Sequence, residues 1–216
     1  EQKPGVIGFQ EATKWHYSYL VDCLKGYDSI ITYRDEAFNS EGCPIFYNTE
    51  LYTLVDKGSF WLSETPDVMS KSWGAQFNRV CSYVILTDKV TNENFVVFNT
   101  HLSHVSDEAR INGIKVVLDK IKEIKPKCLL IVTNQGGIEK GIVNRRNFEF
   151  KMEYLCRSIK EYTGIEVEYS YCEKNDPNYM YRKPNIGMLD SLMMRMIHRG
   201  VVENGISTND ILMIGD

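Results

Sequence analysis

Two residues with opposite protonation chemistry stand at strand ends in this chain. Glu11 follows the short apolar run GVIGFQ, and His101 stands at the mouth of the run FVVFNT, with Asn99 two residues before it and His104 three after. A carboxylate at the C-terminal end of a buried strand can hold a divalent cation, because the strand fixes the side chain while the loop leaves the ion open to substrate. It can equally be a strand-end residue or a helix cap. An imidazole between a buried strand and a polar loop can move protons near neutral pH, or simply bond a backbone carbonyl. A second set lies further along: CLLIVTNQGG runs a strand into a Gly-rich turn at Thr133 and Asn134, Lys183 follows in YMYRKPN, and Asp216 ends ILMIGD. A threonine beside backbone N–H groups can cradle a phosphate. A lysine can offset negative charge that builds in a transition state, and a strand-end aspartate can hold Mg²⁺. Each also has a plain reading, as an ordinary turn, a solvated charge and a terminus.

The elements that must position these groups change character along the chain. TKWHYSYLVDCLKG has helical spacing and a Gly stop, so Glu11 sits between strand and helix. From 28 to 98 the runs are short and β-rich, and ILTDKVTNENFVVF reads as an antiparallel hairpin. Residues 106–123 predict a helix with Ile111, Ile114, Val117, Leu118 and Ile121 on one face. After EIKPK the pattern becomes strand over 128–133, helix over 146–162, an irregular stretch YCEKNDPNYMYRKPN, helix over 186–198 and the strand DILMIGD. The seam is expected near 122–128, where antiparallel β character gives way to strand-helix alternation. The strand at 128–133 is expected to pack beside that at 95–100, with the helix of 106–123 as the crossover.

Composition narrows the classes. The 216 residues can bury a real core. A net charge of −4 and a pI near 5.7 give no basic field for tight non-specific nucleic-acid binding, though a local groove could still take a phosphodiester. Six cysteines without a C-x-x-C pair argue against a zinc site and fit a reducing compartment, so a cytoplasmic location is expected. No apolar run reaches the ~18 residues of a membrane span, and no membrane partner is expected. Oligomeric state is not legible.

The order of segments carries two resemblances. GFQEA, EGCPIFYNTELYTLVDKGSFWLSETPD, SKSWGAQFNRVCSYVILTDK and FNTHLSHVSDEAR, over roughly residues 1–124, resemble the endonuclease/exonuclease/phosphatase family of metal-dependent phosphoester hydrolases. That resemblance implies a two-sheet α/β sandwich, Mg²⁺ (or Mn²⁺) on Glu11, and His101 at the scissile phosphate assisting proton transfer. It adds Asn99, Arg79 and Glu41 for substrate contact or support of the site, with His104 as a loop residue. The family's strand ending in G-D-F-N falls where this chain has CLLIVTNQGG.

IVTNQGGIEKG, NFEFKMEYLCRSIKEYTG, YMYRKPNIGML and ILMIGD, over about 126–216, instead resemble the haloacid-dehalogenase phosphatase superfamily, in the branch that includes polynucleotide 3′-phosphatases. Carried over, Thr133 and Asn134 would bind phosphate, Lys183 would be catalytic and Asp216 would hold the metal. The superfamily's D-x-D-x-T segment, whose first aspartate is the nucleophile, does not occur in 1–132.

The expected fold is α/β, a partial two-sheet sandwich over 1–124 joined to a partial Rossmann-like unit of the haloacid-dehalogenase type over 125–216. The leading expectation for function is a Mg²⁺-dependent phosphoester hydrolase of the first kind. A phosphatase of the second kind, and a non-catalytic mosaic or fragment, are the alternatives. The substrate partner is a phosphoester, at nucleic-acid ends or on a small phosphorylated molecule.

Overall fold

A computed structural model describes residues 4–183, 185, 187–201 and 211–214, and the chain divides into two compact units, 1–123 and 124–216.

In the first unit, β1 (Val6–Gly8) and β2 (Ala12–Thr13) lead into helix α1 (Lys14–Cys23), then β3 (Tyr27–Ile30), β4 (Glu41–Gly42) and β5 (Ile45–Asn48). Long strands β6 (Tyr52–Trp61), β7 (Val80–Asp88) and β8 (Glu93–Thr100) follow, and then helix α2 (Asp107–Ile124). Strand β5 lies between β1 and β3, antiparallel to both, with Phe46 opposite Ile7 on one side and Ser29 on the other. Strands β6, β7 and β8 pair antiparallel in that order, and the β7–β8 pairing closes on Asp88 opposite Glu93, the expected hairpin.

Two layers result, because alternate residues of a strand point to opposite faces. Ile45 and Tyr47 of β5 meet Val84 and Leu86 of β7 in one buried cluster, edged by Val6, Ile30, Leu54 and Val97. On its other face β5 presents Phe46 to Phe9 and to Tyr17 of α1, at 5.8 and 5.7 Å between rings. All four β5 residues are therefore buried, which explains an apolar run without alternation. Helix α1 starts at a capping box, where Thr13 accepts from the His16 amide and the His16 ring faces the Thr13 amide. That cap follows Glu11 by two residues.

Helix α2 buries Val117, Leu118 and Ile121 of the expected face and departs from it at Ile111. Ala109, Gly113, Val117, Leu118 and Ile121 are buried, whereas Ile111 is 60 % exposed. The reason is close approach: a Cβ on Gly113 would stand 3.3 Å from Leu62, the residue after β6, so the helix is packed closely at its smallest residue. Ala109 and Gly113 share the buried face but are too small to mark it in an apolar pattern.

In the second unit, β9 (Cys128–Asn134) runs into the short helix α3 (Gly136–Glu139), then helix α4 (Arg145–Thr163), β10 (Glu166–Cys172), helix α5 (Gly187–His198) and β11 (Ile211–Ile214). Helix α4 begins on an Asn144 cap and ends at Gly164 in the left-handed region, φ 75°, which glycine adopts without a side-chain clash. Strand β9 lies between β10 and β11, parallel to both. The expected pairing of 128–133 with 95–100 does not form, since both edges of β9 are taken by strands of its own unit. Cys128, Leu130 and Val132 project onto Met188, Leu192 and Met196 of α5, a buried cluster with Cys172.

Four of the six cysteines are buried and all are free thiols, which suits their use as small apolar core residues. No helix among the described residues is long and apolar enough to cross a membrane.

Candidate functional site

In the first unit the chain arranges Glu11 and His101 by clamping two loops together. The Asn99 side-chain amide donates to the carbonyls of Phe9 (2.6 Å) and Pro44 (2.9 Å), and the Phe9 amide also donates to Pro44 O at 3.0 Å. Next door, Gln10 Nε2 donates to Thr100 O at 2.7 Å. Residues 9–10 are thus tied to the end of β8, and Glu11 and His101, one position beyond each tie, come together with Oε1 3.6 Å from Nδ1. Glu11 holds φ at +56°, a left-handed conformation that costs a non-glycine residue about 1 kcal/mol or more and is tolerated where surrounding bonds impose it.

The cleft around this pair is lined by Arg34, Glu41, Asn78 and Arg79. Burial lowers the His101 pKa from its ordinary value of 6.5, and the Arg79 guanidinium lowers it further, against the pull of Glu11 and Glu41. His101 is therefore a neutral imidazole at neutral pH, ready to accept a proton. His104 belongs to the same neighbourhood: its Nδ1 accepts from Arg79 Nη2 at 3.0 Å, which leaves its proton on Nε2. Glu41 is taken by Arg34, 2.5 Å from Nη1. Cys43 also faces the cleft, but burial pushes its thiol up to about 12, so it offers no nucleophile.

Arg34 was missed in the sequence. It sits in YRDE with no motif around it, and its neighbours arrive from two other segments: Glu41, and the consecutive Phe77, beneath its guanidinium at 4.5 Å, and Asn78, which donates to its carbonyl at 3.0 Å. No local signal would have found it.

Among the described residues no group of three acidic, histidine or cysteine side chains converges as a protein-only metal cage requires. Mg²⁺ asks for less, since it keeps several waters and is held by one or two carboxylates together with substrate phosphate. The Glu11 side chain, 65 % exposed and beside a neutral histidine, fits that single-carboxylate role. Asp216 lies outside the described residues.

In the second unit Asn134, the neighbour of Thr133 in β9, meets Lys183. The Lys183 amide donates to Asn134 Oδ1 at 3.0 Å, and Asn134 Nδ2 donates back to Lys183 O at 3.3 Å. This reciprocal pair brings the lysine to the C-terminal end of β9, with Nζ 3.4 Å from Val132 O. Thr133 Oγ1 accepts from Gln135 Nε2 at 2.9 Å. The turn that follows is packed too tightly for a side chain at Gly136, whose Cβ would fall 2.0 Å from Asn175 Oδ1. Asn175 and Lys174 both bond Glu139 of α3, and the Asn175 backbone amide is the main cause of a Glu139 pKa below its ordinary value.

Comparison with known proteins finds relatives of two kinds. A family model described as polynucleotide kinase 3 phosphatase matches residues 84–216. An uncharacterized protein of Acanthamoeba polyphaga mimivirus is 30% identical over 108 residues, 46% of this chain and 40% of its own. The D-glycero-beta-D-manno-heptose-1,7-bisphosphate 7-phosphatase of Helicobacter pylori is 27% identical over 124 residues, 56% of this chain and 67% of its own. Among solved structures, the mannosyl-6-phosphatase of Bacteroides thetaiotaomicron is 39% identical with a TM-score of 0.53, covering 56% of this chain and 45% of that one. An endonuclease/exonuclease/phosphatase from Bacteroides vulgatus is 34% identical with a TM-score of 0.54, covering 56% and 48%. The chain thus spans less than half the length of these solved relatives and of the mimivirus protein. Residues 84–216 and a stretch of 56% together exceed the chain, so the family match and the structural match share part of it.

Proposed function

We propose that this chain, which belongs to the polynucleotide kinase 3 phosphatase family through residues 84–216, is a phosphoester hydrolase whose working centre is the cleft of the first unit. The observation that carries this is the Glu11–His101 pair, a left-handed, exposed carboxylate held 3.6 Å from an imidazole whose pKa is lowered. His101 takes the proton of the attacking water or returns one to the leaving oxygen, a contribution of about 10²–10⁴-fold in systems of this kind. Arg79 meets the negative charge of the phosphoryl oxygens, and Asn99 acts as a positioning residue by holding the two loops in register. Glu11 would hold Mg²⁺ (or Mn²⁺), which supplies charge stabilisation at the phosphoryl oxygens when bound. The substrates named for the relatives are a sugar phosphate and a heptose bisphosphate, which favours a phosphorylated small molecule. Buried free thiols fit a reducing compartment, and we place the protein in the cytoplasm.

The reciprocal Asn134–Lys183 pair supports a second reading, that of a phosphatase acting on polynucleotide 3′-phosphates from the second unit. There Thr133 and Asn134 would hold the phosphate, Lys183 would offset its charge, and Asp216 would be the metal ligand.

The test is release of phosphate or alcohol from an aryl phosphate by the purified chain with millimolar Mg²⁺. Glu11→Ala should abolish metal-dependent turnover. Turnover that survives this substitution unchanged rules out the first-unit centre.

A further inference from the structure

Two buried guanidinium nitrogens in the first unit's cleft have no hydrogen-bond partner, Arg34 Nε and Arg79 Nε. Arg34 Nε forms an ion pair with Asp35 Oδ2 at 3.6 Å, too long for a hydrogen bond. Arg79 as a whole is 6 % exposed. A charged donor left unmade in the interior is costly, and native proteins satisfy such groups with protein, water or an ion. Here both donors belong to side chains lining the same cleft as Glu11 and His101.

Each arginine is also held in place by contacts that leave part of its fork unused. Arg34 is anchored by Glu41 at Nη1 and stacked on Phe77, and its carbonyl takes donors from Trp61 Nε1 and Asn78 Nδ2. Arg79 is anchored at Nη2 by His104, and its carbonyl accepts from the Leu62 amide. Glu41 offsets the Arg34 charge, and Arg79, bonded to His104, brings a second positive charge to the same cleft. A planar guanidinium offers paired donors suited to phosphate oxygens.

We infer that Arg34 and Arg79 form a two-guanidinium clamp for a terminal phosphate, which makes the cleft take phosphomonoesters in preference to phosphodiesters. The inference rests on the first-unit reading of the function and adds its substrate class. A monoester offers three free oxygens and carries about −1.5 to −2 charge near neutral pH, whereas a diester offers two and carries about −1. Arg34, Arg79 and the cation expected on Glu11 are three positive partners, one for each free oxygen of a monoester. A diester leaves one of them without a partner.

The experiment has a binding arm and a turnover arm, both on the full chain. Inorganic phosphate is titrated without metal in a Lys183→Ala background, which silences the candidate cradle of the second unit, and binding is read from the rise in melting temperature. Arg34→Gln should weaken phosphate about tenfold or more, the loss expected for a charged hydrogen bond. Glu41→Gln, which removes the competing carboxylate, should tighten it severalfold. The opposite signs separate a ligand contact from a folding defect. In the turnover arm, Arg34→Gln should lower the ratio of monoester to diester kcat/KM about tenfold.

Phosphate binding indifferent to both substitutions, or a ratio that does not move while turnover still depends on His101, overturns the clamp and leaves the hydrolase reading standing. Binding that depends on Arg34, with no turnover that depends on His101, supports the clamp and overturns that reading instead.

Discussion

Replacing Asn99 separates a positioning residue from one that touches substrate. Its amide nitrogen donates to Phe9 O at 2.6 Å and Pro44 O at 2.9 Å, and the strand next to it is close enough that a Cβ on Gly8 would stand 3.1 Å from Asn99 Cγ. Asn99→Ala removes both bonds, at about 1 kcal/mol net each, so a loss of about 2 kcal/mol is expected. In a protein of this size that corresponds to a fall of about 4–8 °C in melting temperature. Asn99→Asp is the sharper probe, because it keeps the shape and turns the donor into a carboxylate facing two carbonyl oxygens. It should melt below Asn99→Ala at neutral pH. The aspartate's folded pKa would be raised above its unfolded value of about 3.9, so its deficit should shrink as pH falls through the raised value. Thermal melts of the three proteins across pH give the answer. If both variants melt with the wild type and only turnover is lost, Asn99 works on substrate and the clamp is not its role.

Two other perturbations have worked-out outcomes. Burial tends to raise the Asp28 pKa, but donation from the Tyr47 hydroxyl and the Ser29 amide, with the nearby Lys57 charge, outweighs it and leaves the pKa below 3.8. That stability is present above the unfolded value and lost as pH falls through the folded one. Acid unfolding followed by circular dichroism should therefore be less steep below pH 3.8 in Asp28→Asn. Gly136→Ala should displace Asn175, breaking its bonds to Gly136 O and Glu139 Oε2, each 3.0 Å. Gly136→Ala and Asn175→Ala should each lower the melting temperature, and the double variant should lose much less than the sum, because both remove the same contacts.

What could be seen in the sequence was whatever lies close along the chain. A carboxylate after an apolar run, a histidine at the end of another and a threonine at a strand-to-Gly turn all announce strand ends, and the strands β1, β8 and β9 end near them. The hairpin over 85–98 was legible for the same reason, since its turn is local. Asn134 and Lys183, 49 residues apart, could be paired only through the resemblance of their segments. Arg34 could not be found, because Glu41, Phe77 and Asn78 come from elsewhere. The neighbours of β9 were misjudged because β10 and β11 reach it from 38 and 83 residues away along the register, through parallel pairings that leave no mark in any short window. Ile111 stands exposed because the small residues that allow close packing leave no mark in an apolar pattern.

The central claim is that the first unit's cleft hydrolyses the phosphoester, and side-by-side turnover of His101→Ala and Lys183→Ala tests it most directly. An aryl phosphate and an oligonucleotide 3′-phosphate are each given to both variants at millimolar Mg²⁺. With the working centre at Glu11 and His101, His101→Ala should lose about 10²-fold or more on the aryl phosphate, while Lys183→Ala stays near the wild type. Phosphate release that falls with Lys183→Ala and ignores His101→Ala on both substrates would contradict the claim and move the chemistry to the end of β9.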